Sequence, residues 1–308
     1  MGSVEDTRQG IGHISGALTG PDVPAPRRGR RGARPDPVRT VVRTVGEVLI
    51  TLGVVLLLFV VYEVYVTDWL SAGKQRDATA ALDDQWTVGK EDPQRVDHFE
   101  GLKEGDGFAK LYIPSFGPDY HFTIVEGTTE KSLEVGPGHY TDTAYPGEPG
   151  NFAVAGHRVG KGAPFNDLDL LTSCDSILVE TKTSWYVYRV LPMSGEVKNW
   201  AQLKTSKPHC NVVGSEGRVQ EVDPIPADYT QTVGMEIVKP TDGSVIASIP
   251  HKPNAKLAKS SQEPLLTLTT CHPKFSAKQR LIIHARLVDQ HPKDRLPANQ
   301  PPPEMKES

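Results

Sequence analysis

The sequence carries no excess of basic charge. Its formal net charge is −4 and its pI about 6.2, so there is no general electrostatic reason to expect nucleic-acid binding. Lysine is absent from the first 66 residues, where eight arginines against six acids give +2, while the remainder carries −6. Residues 1–44 also have few large apolar side chains. This Arg-, Gly- and Pro-rich stretch ("PDVPAPRRGRRGARPDPVR") cannot bury enough surface to order itself and is expected to be a disordered cytosolic tail. Its arginines suit contact with anionic lipid. No internal repeat is present. No small-x-small cleavage site follows the one long apolar run; "YEVYVTDWL" is bulky, which argues against a removed signal peptide.

That run, "VGEVLITLGVVLLLFVVYEVYV", covers 45–66, with fifteen uncharged residues between Glu47 and Glu63. It is apolar on every face and about as long as the ~20 residues of a spanning helix. Arg39, Arg43 and the arginines at 27–34 precede it and Asp68 follows. The positive-inside rule then places the N-terminus in the cytoplasm and residues 67–308 outside, on a single-pass signal anchor. Residues 67–105 read as an extracytoplasmic linker, a stalk or partly helical spacer. Residues 291–308 read as a polar, Pro-rich disordered tail.

Between these flanks, from 106 to 290, short apolar alternations recur with turn signals between them. Strands are expected at 108–114, 121–127, 151–157, 175–181, 184–192, 235–240, 244–250, 265–271 and 280–288, with a hairpin at "TKTS". Only 164–173 suggests a short helical turn. The pattern implies a mainly β fold, a barrel or sandwich with few helices. The polar stretch 193–234 breaks the rhythm and reads as a long insertion.

Cys271 ends one strand, and Arg280 opens the next nine residues later. A nucleophilic thiol needs a base or cationic partner. Of ten histidines, His157 ends an apolar strand directly after Gly156, at a rim position where chemistry is commonly placed. His272 should point away from its neighbour Cys271, because side chains alternate along a strand. His284 lies mid-strand and reads as a structural hydrogen-bonding histidine. On residue types alone, a buried cysteine, a turn histidine and a surface arginine account for the same three positions.

"TLTTC" (267–271) followed by Arg280 resembles the TLxTC…R signature of sortases, and "GPGHYTDTAYPGEPGNFAVAGHR" (136–158) resembles the block around their catalytic histidine. The resemblance covers about 106–290 and is greatest to class E, the housekeeping type of high-GC Gram-positive bacteria. It implies a closed β-barrel of about eight strands with short helices. It also implies a cysteine transpeptidase that cleaves an LAxTG- or LPxTG-like sorting signal between Thr and Gly. The acyl group would pass through a Cys271 thioester to a peptidoglycan amine. Expected partners are therefore sorting-signal-bearing secreted proteins, that amine and the membrane, with the protein a monomer.

By the same resemblance His157 serves as acid and base and Arg280 faces the oxyanion. Thr270 is expected to contribute backbone or hydroxyl to that hole, and Tyr140 to read the second position of the signal. If thiol and imidazole sit near their ordinary values, only a minority of molecules hold the thiolate–imidazolium pair, so turnover is expected to be slow. No orienting Asp or Asn is evident, unlike in papain-like proteases. No cofactor is expected. "EGTTEKSLE" (126–134) lacks a dense oxygen-ligand array, so no metal is expected either. "LPMSG" (191–195) mimics a sorting signal but lacks the apolar segment and basic tail. If Cys271 stays a thiol, Cys174 and Cys210 are free to pair. Two other readings stay open: a pilus-polymerising sortase that uses a pilin lysine, and an anchored β-domain that binds without catalysis.

Overall fold

The computed structural model describes residues 37–62, 67–87, 97, 99–214, 217, 219–220, 222–297 and 300–307. The expected disordered tail, 1–44, lies outside the described residues as far as 36, and its last part, 37–44, is instead helical. Contacts divide the chain into two units, 1–53 and 54–308. Helix α1 (Pro37–Val61) starts on a proline, whose fixed φ suits the first helical turn, and is long and apolar enough to cross a membrane. None of its residues is buried, which sets it apart from the core helix of a soluble protein.

Helix α2 (Thr67–Thr87) lies in the segment read as a stalk. Ser71, Gln75 and Thr79 recur every four residues and so share one face, against β1 (Gly107–Tyr112) and β2 (His121–Glu126). The contact is largely polar. The Gln75 amide accepts from the Thr123 N–H at 2.6 Å and donates to the Thr123 carbonyl at 3.1 Å, acting like one residue of a neighbouring strand. It thereby satisfies an otherwise open stretch of sheet edge. Lys110 pairs with Asp83, and Lys74 with Glu134 at 2.6 Å.

After β2 come the short helix α3 (Glu130–Leu133), β3 (Gly138–His139) and β4 (Gly150–Ala155). The hairpin of β5 (Ser176–Glu180) and β6 (Ser184–Val190) follows. Next are helix α4 (Trp200–Leu203), β7 (Met235–Val238), β8 (Pro264–His272) and β9 (Gln279–Pro292). The order β6-β5-β1-β2-β3-β4-β8-β9 closes through β6–β9 pairing into an eight-stranded barrel, with β7 added on β9. Two pairings, β2–β3 and β4–β8, are parallel, so the barrel is mixed. Leu111, Ile124, Phe152, Val154, Ile177, Tyr188, Leu266, Leu268, Leu281 and Ile283 fill its interior.

Two segments, 244–250 and the C-terminal tail, differ from expectation, while the pairing of Cys174 with Cys210 in the insertion agrees with it. Residues 244–250 form a 3-10 turn (Gly243–Ile246) and bends instead of a strand. Asp242 caps the turn, Ile249 packs with Leu191, Ile225 and Tyr229, and the carbonyls of Val245 and Ala247 accept from Asn151 Nδ2. The apolar alternation is thus met by packing, without a partner strand. The expected C-terminal disordered tail is instead folded back: Glu304 is 1% exposed, and Glu307 pairs with the fully buried Arg189 at 2.8 Å. In the 193–234 stretch, Trp200, Cys210 and Val222 form a small core with Cys174, and Cys174 and Cys210 are joined in a disulfide.

Candidate active site

Strands β4 and β8 run side by side in parallel, with Ala155 opposite Thr269 as their last pair. The Gly156 N–H extends the ladder by donating to the Thr269 carbonyl at 3.1 Å. Two residues past that pair stand His157 on one strand and Cys271 on the other. Strand β9 returns antiparallel and sets Arg280 directly opposite Cys271. Alternation decides the faces. Leu266 and Leu268 point into the core, so Thr267, Thr269 and Cys271 point out; Leu281 and Ile283 point in, so Arg280, Ile282 and His284 point out. The β8–β9 hairpin and the end of β4, more than a hundred residues earlier, thus bring His157, Cys271 and Arg280 to one barrel edge.

The turn after β4 is held tightly. A Cβ on Gly156 would lie 2.5 Å from the Phe165 ring, so only glycine permits this approach. The Phe165 N–H donates to the His157 carbonyl at 2.9 Å. Thr270 alternates inward and is 2% exposed; its Oγ1–H donates to the Gly156 carbonyl at 2.8 Å. Of the backbone or hydroxyl contribution expected at the oxyanion hole, the hydroxyl is thus engaged elsewhere. It fixes the backbone before His157 instead.

Cys271 is half-buried and carries a free thiol. Burial pushes the His157 imidazole below its usual value of about 6.5, and the charge of Glu134 partly opposes this. Its Nε2 is buried with no hydrogen-bond partner among the described residues. Glu134 is itself held below the carboxylate range by its hydrogen bond and charge interaction with Lys74. A neutral imidazole with an unengaged nitrogen can accept a proton, the chemistry expected of a base beside a thiol. Arg280 is half-buried, and its Nη1 donates to the carbonyls of Ala277 and Gln279, each at 3.2 Å, on its own turn. The hydroxyls of Tyr140 and Thr269 are 3.0 Å apart. Tyr140 therefore lies over the outward-facing residue two positions before the thiol.

Sequence reasoning missed Arg158. It is 3% exposed, and its Nη1 donates to His272 Nδ1 at 2.8 Å and reaches the Cys271 carbonyl at 3.4 Å; its Nη2 pairs with Asp169 at 2.9 Å. This buried cation ties the strand end bearing the histidine to the one bearing the thiol. Its place directly after His157 was the one available signal. His272 is engaged by Arg158, and His284 is fully buried and hydrogen-bonded through both ring nitrogens to Thr267 and Glu236.

The family model described as the sortase domain matches residues 111–288. Sortase E1 of Streptomyces coelicolor is 29% identical over 276 residues, covering 87% of this chain and 63% of its own length. Sortase E2 of the same organism is 29% identical over 274 residues, covering 85% and 87%. Among solved structures, the SrtF sortase of Corynebacterium diphtheriae is 41% identical with a TM-score of 0.55, covering 70% of this chain and all of that one. The chain thus spans about two-thirds or less of one curated relative and most of the other. With most of the barrel inside the matched span and both sequence motifs meeting at one edge of it, this chain belongs to the sortase family of cysteine transpeptidases.

Proposed function

We propose that this protein is a membrane-anchored, class E-like sortase that cleaves an LAxTG- or LPxTG-like signal between Thr and Gly and transfers the acyl group to a peptidoglycan amine. The meeting of β4, β8 and β9 carries the reading, because it supplies a thiol, a proton carrier and a guanidinium on one outward face. Cys271 passes its thiol proton to the neutral His157, and Sγ attacks the threonine carbonyl carbon. Arg280 swings from its turn carbonyls to the developing oxyanion, a contribution of the kind worth about 3–4 kcal/mol. His157 delivers a proton to the departing glycine amine, leaving a thioester on Cys271. The incoming amine then attacks, His157 takes its proton, and the thiol is released.

Tyr140, over Thr269, reads the second position of the signal through its phenol. The N-terminus lies in the cytoplasm and the barrel outside. The Cys174–Cys210 disulfide supports this side, since such bonds persist in oxidising compartments. The test uses the full-length protein in detergent with LAxTG and LPxTG peptides and an amine nucleophile. Cleavage between Thr and Gly with transfer to the amine is the expected result. Neither product from either peptide, with folded protein, contradicts the reading.

A further inference from the structure

On the same outer face, four residues along β8 and β9 from Cys271 and Arg280, Thr267 stands opposite His284. The distance along the strands is roughly 13 Å. Here the hydrogen-bond donors can be assigned one by one. Asn151 Nδ2 donates to the carbonyls of Val245 at 3.3 Å and Ala247 at 3.1 Å, which fixes its amide and makes Oδ1 an acceptor. Thr267 Oγ1 gives its only hydrogen to that Oδ1 at 2.7 Å. Toward His284 Nδ1, 2.8 Å away, Thr267 can therefore only accept, so Nδ1 carries the proton. A neutral His284 then turns the lone pair of Nε2 toward Glu236 Oε1 at 2.9 Å, acceptor facing acceptor. His251 Nε2 reaches the same oxygen at 2.8 Å. Either a proton or a metal ion has to stand among these three groups.

We propose that Glu236, His251 and His284 form a binding site for a divalent transition-metal ion of the zinc class, which pins the β7–β8 loop to the barrel. Two imidazoles and one carboxylate are a known zinc donor set. Their ligand atoms lie within 4.8 Å of one another. Two ligands about 2.0–2.1 Å from a metal stand about 2.9–3.4 Å apart, so a small rotation of the Glu236 carboxylate accommodates the ion. The Asn151–Thr267–His284 chain is the outer shell such a site needs, because it holds the imidazole in the tautomer that presents Nε2. The three ligands come from β7, the following loop and β9. An ion at this point therefore joins the loop to β7 and β9. His284 is fully buried, whereas His251 lines an open groove with Asp228, Lys252 and Asn254, which gives an ion a route in. No spacing motif announces this set, because its members are 236, 251 and 284. The proposal does not depend on the chemistry assigned to Cys271.

The competing occupant is a proton, and metal uptake separates the two. Tag-free, metal-stripped full-length protein in detergent is titrated calorimetrically with Zn²⁺ and, in parallel, with Co²⁺ followed by its visible absorption. One equivalent of each is expected to bind, with Zn²⁺ raising the thermal midpoint by mass action. His251→Asn suits the left-handed backbone at this position (φ 67°), and Glu236→Gln keeps the side-chain volume. Each is expected to weaken binding at least about tenfold with unchanged circular dichroism. Substituting the exposed His121 by Gln leaves affinity unchanged. Absence of uptake by the folded wild type overturns the proposal, as does equal uptake by the wild type and both variants.

Discussion

Two arginines on neighbouring strands of the barrel show how differently this fold treats the same side chain. Arg189 on β6 is fully buried. Its Nε donates to Gln220 at 2.6 Å, its Nη1 to the Cys174 carbonyl and Glu307 at 2.9 Å each, and its Nη2 to Glu307 at 2.8 Å. Arg280 on β9 is half-buried, and among the described residues its two hydrogen bonds go to carbonyls of its own turn. The first guanidinium places four of its five N–H groups on Gln220 of the insertion, Glu307 of the C-terminal segment and the Cys174 carbonyl. The second keeps most of its donors available. Where charge is spent on structure, a low dielectric and close pairing hold it. Where it is kept for a substrate, pairing is weak and solvent is close.

Breaking each region should therefore separate activity from stability. The largest effect is expected from Cys271→Ala: at least about a 10³-fold loss of peptide cleavage with an unchanged unfolding midpoint. Arg189→Met should do the opposite. It leaves Glu307 without its cation and should cost about 3–5 kcal/mol in a denaturant titration, while turnover per folded molecule is retained. Arg280→Ala should lower kcat/KM by about 10²–10³ with little change in stability, and Arg280→Lys should not restore it, because an ammonium lacks the planar fork.

Thr270→Val tests a positioning role. Loss of its hydrogen bond to the Gly156 carbonyl should cost about 1–3 kcal/mol and lower kcat more than it raises KM, because the backbone before His157 loosens. Thr270→Ser, which keeps the hydroxyl, should restore kcat.

The smallest effect concerns protons. Burial favours the neutral imidazole of His157, so its titration by nuclear magnetic resonance should have a midpoint below 6.5, and Glu134→Gln, which removes the opposing charge, should move it lower. A midpoint above 6.5 would mean that the site stabilises imidazolium in the free enzyme, and the description of His157 as a neutral base would fail.

The barrel was legible wherever strands follow the two-residue period and are bounded by turn residues, as in β1, β2, β4, β5, β6, β8 and β9. Strand β3 is two residues long, too short to carry a period. Residues 244–250 alternate like a strand, but their carbonyls are met by the Asn151 side chain, a contact with no trace in local sequence. Helix α2 docks through Gln75, Thr79 and Asp83, and a polar contact face leaves no apolar stripe to recognise. The C-terminal segment looked unfoldable by composition, yet the charge of Glu307 is what the buried Arg189 requires.

At the candidate site, the strand-end places of Cys271, His157 and Arg280 are legible in the sequence, but their joint role is implied only by the resemblance of their two motifs to those of sortases. The inward turn of the Thr270 hydroxyl and the bridging role of Arg158 could not, because both depend on which strand ends meet in space.

The most direct test of the central claim is the intact mass of the full-length protein shortly after mixing with an LAxTG peptide in the absence of amine. The account predicts an added mass equal to the peptide acid through its threonine less one water, mapped to Cys271 by digestion and absent from Cys271→Ala. Turnover by Cys271→Ala, or an adduct on any other residue, would contradict it.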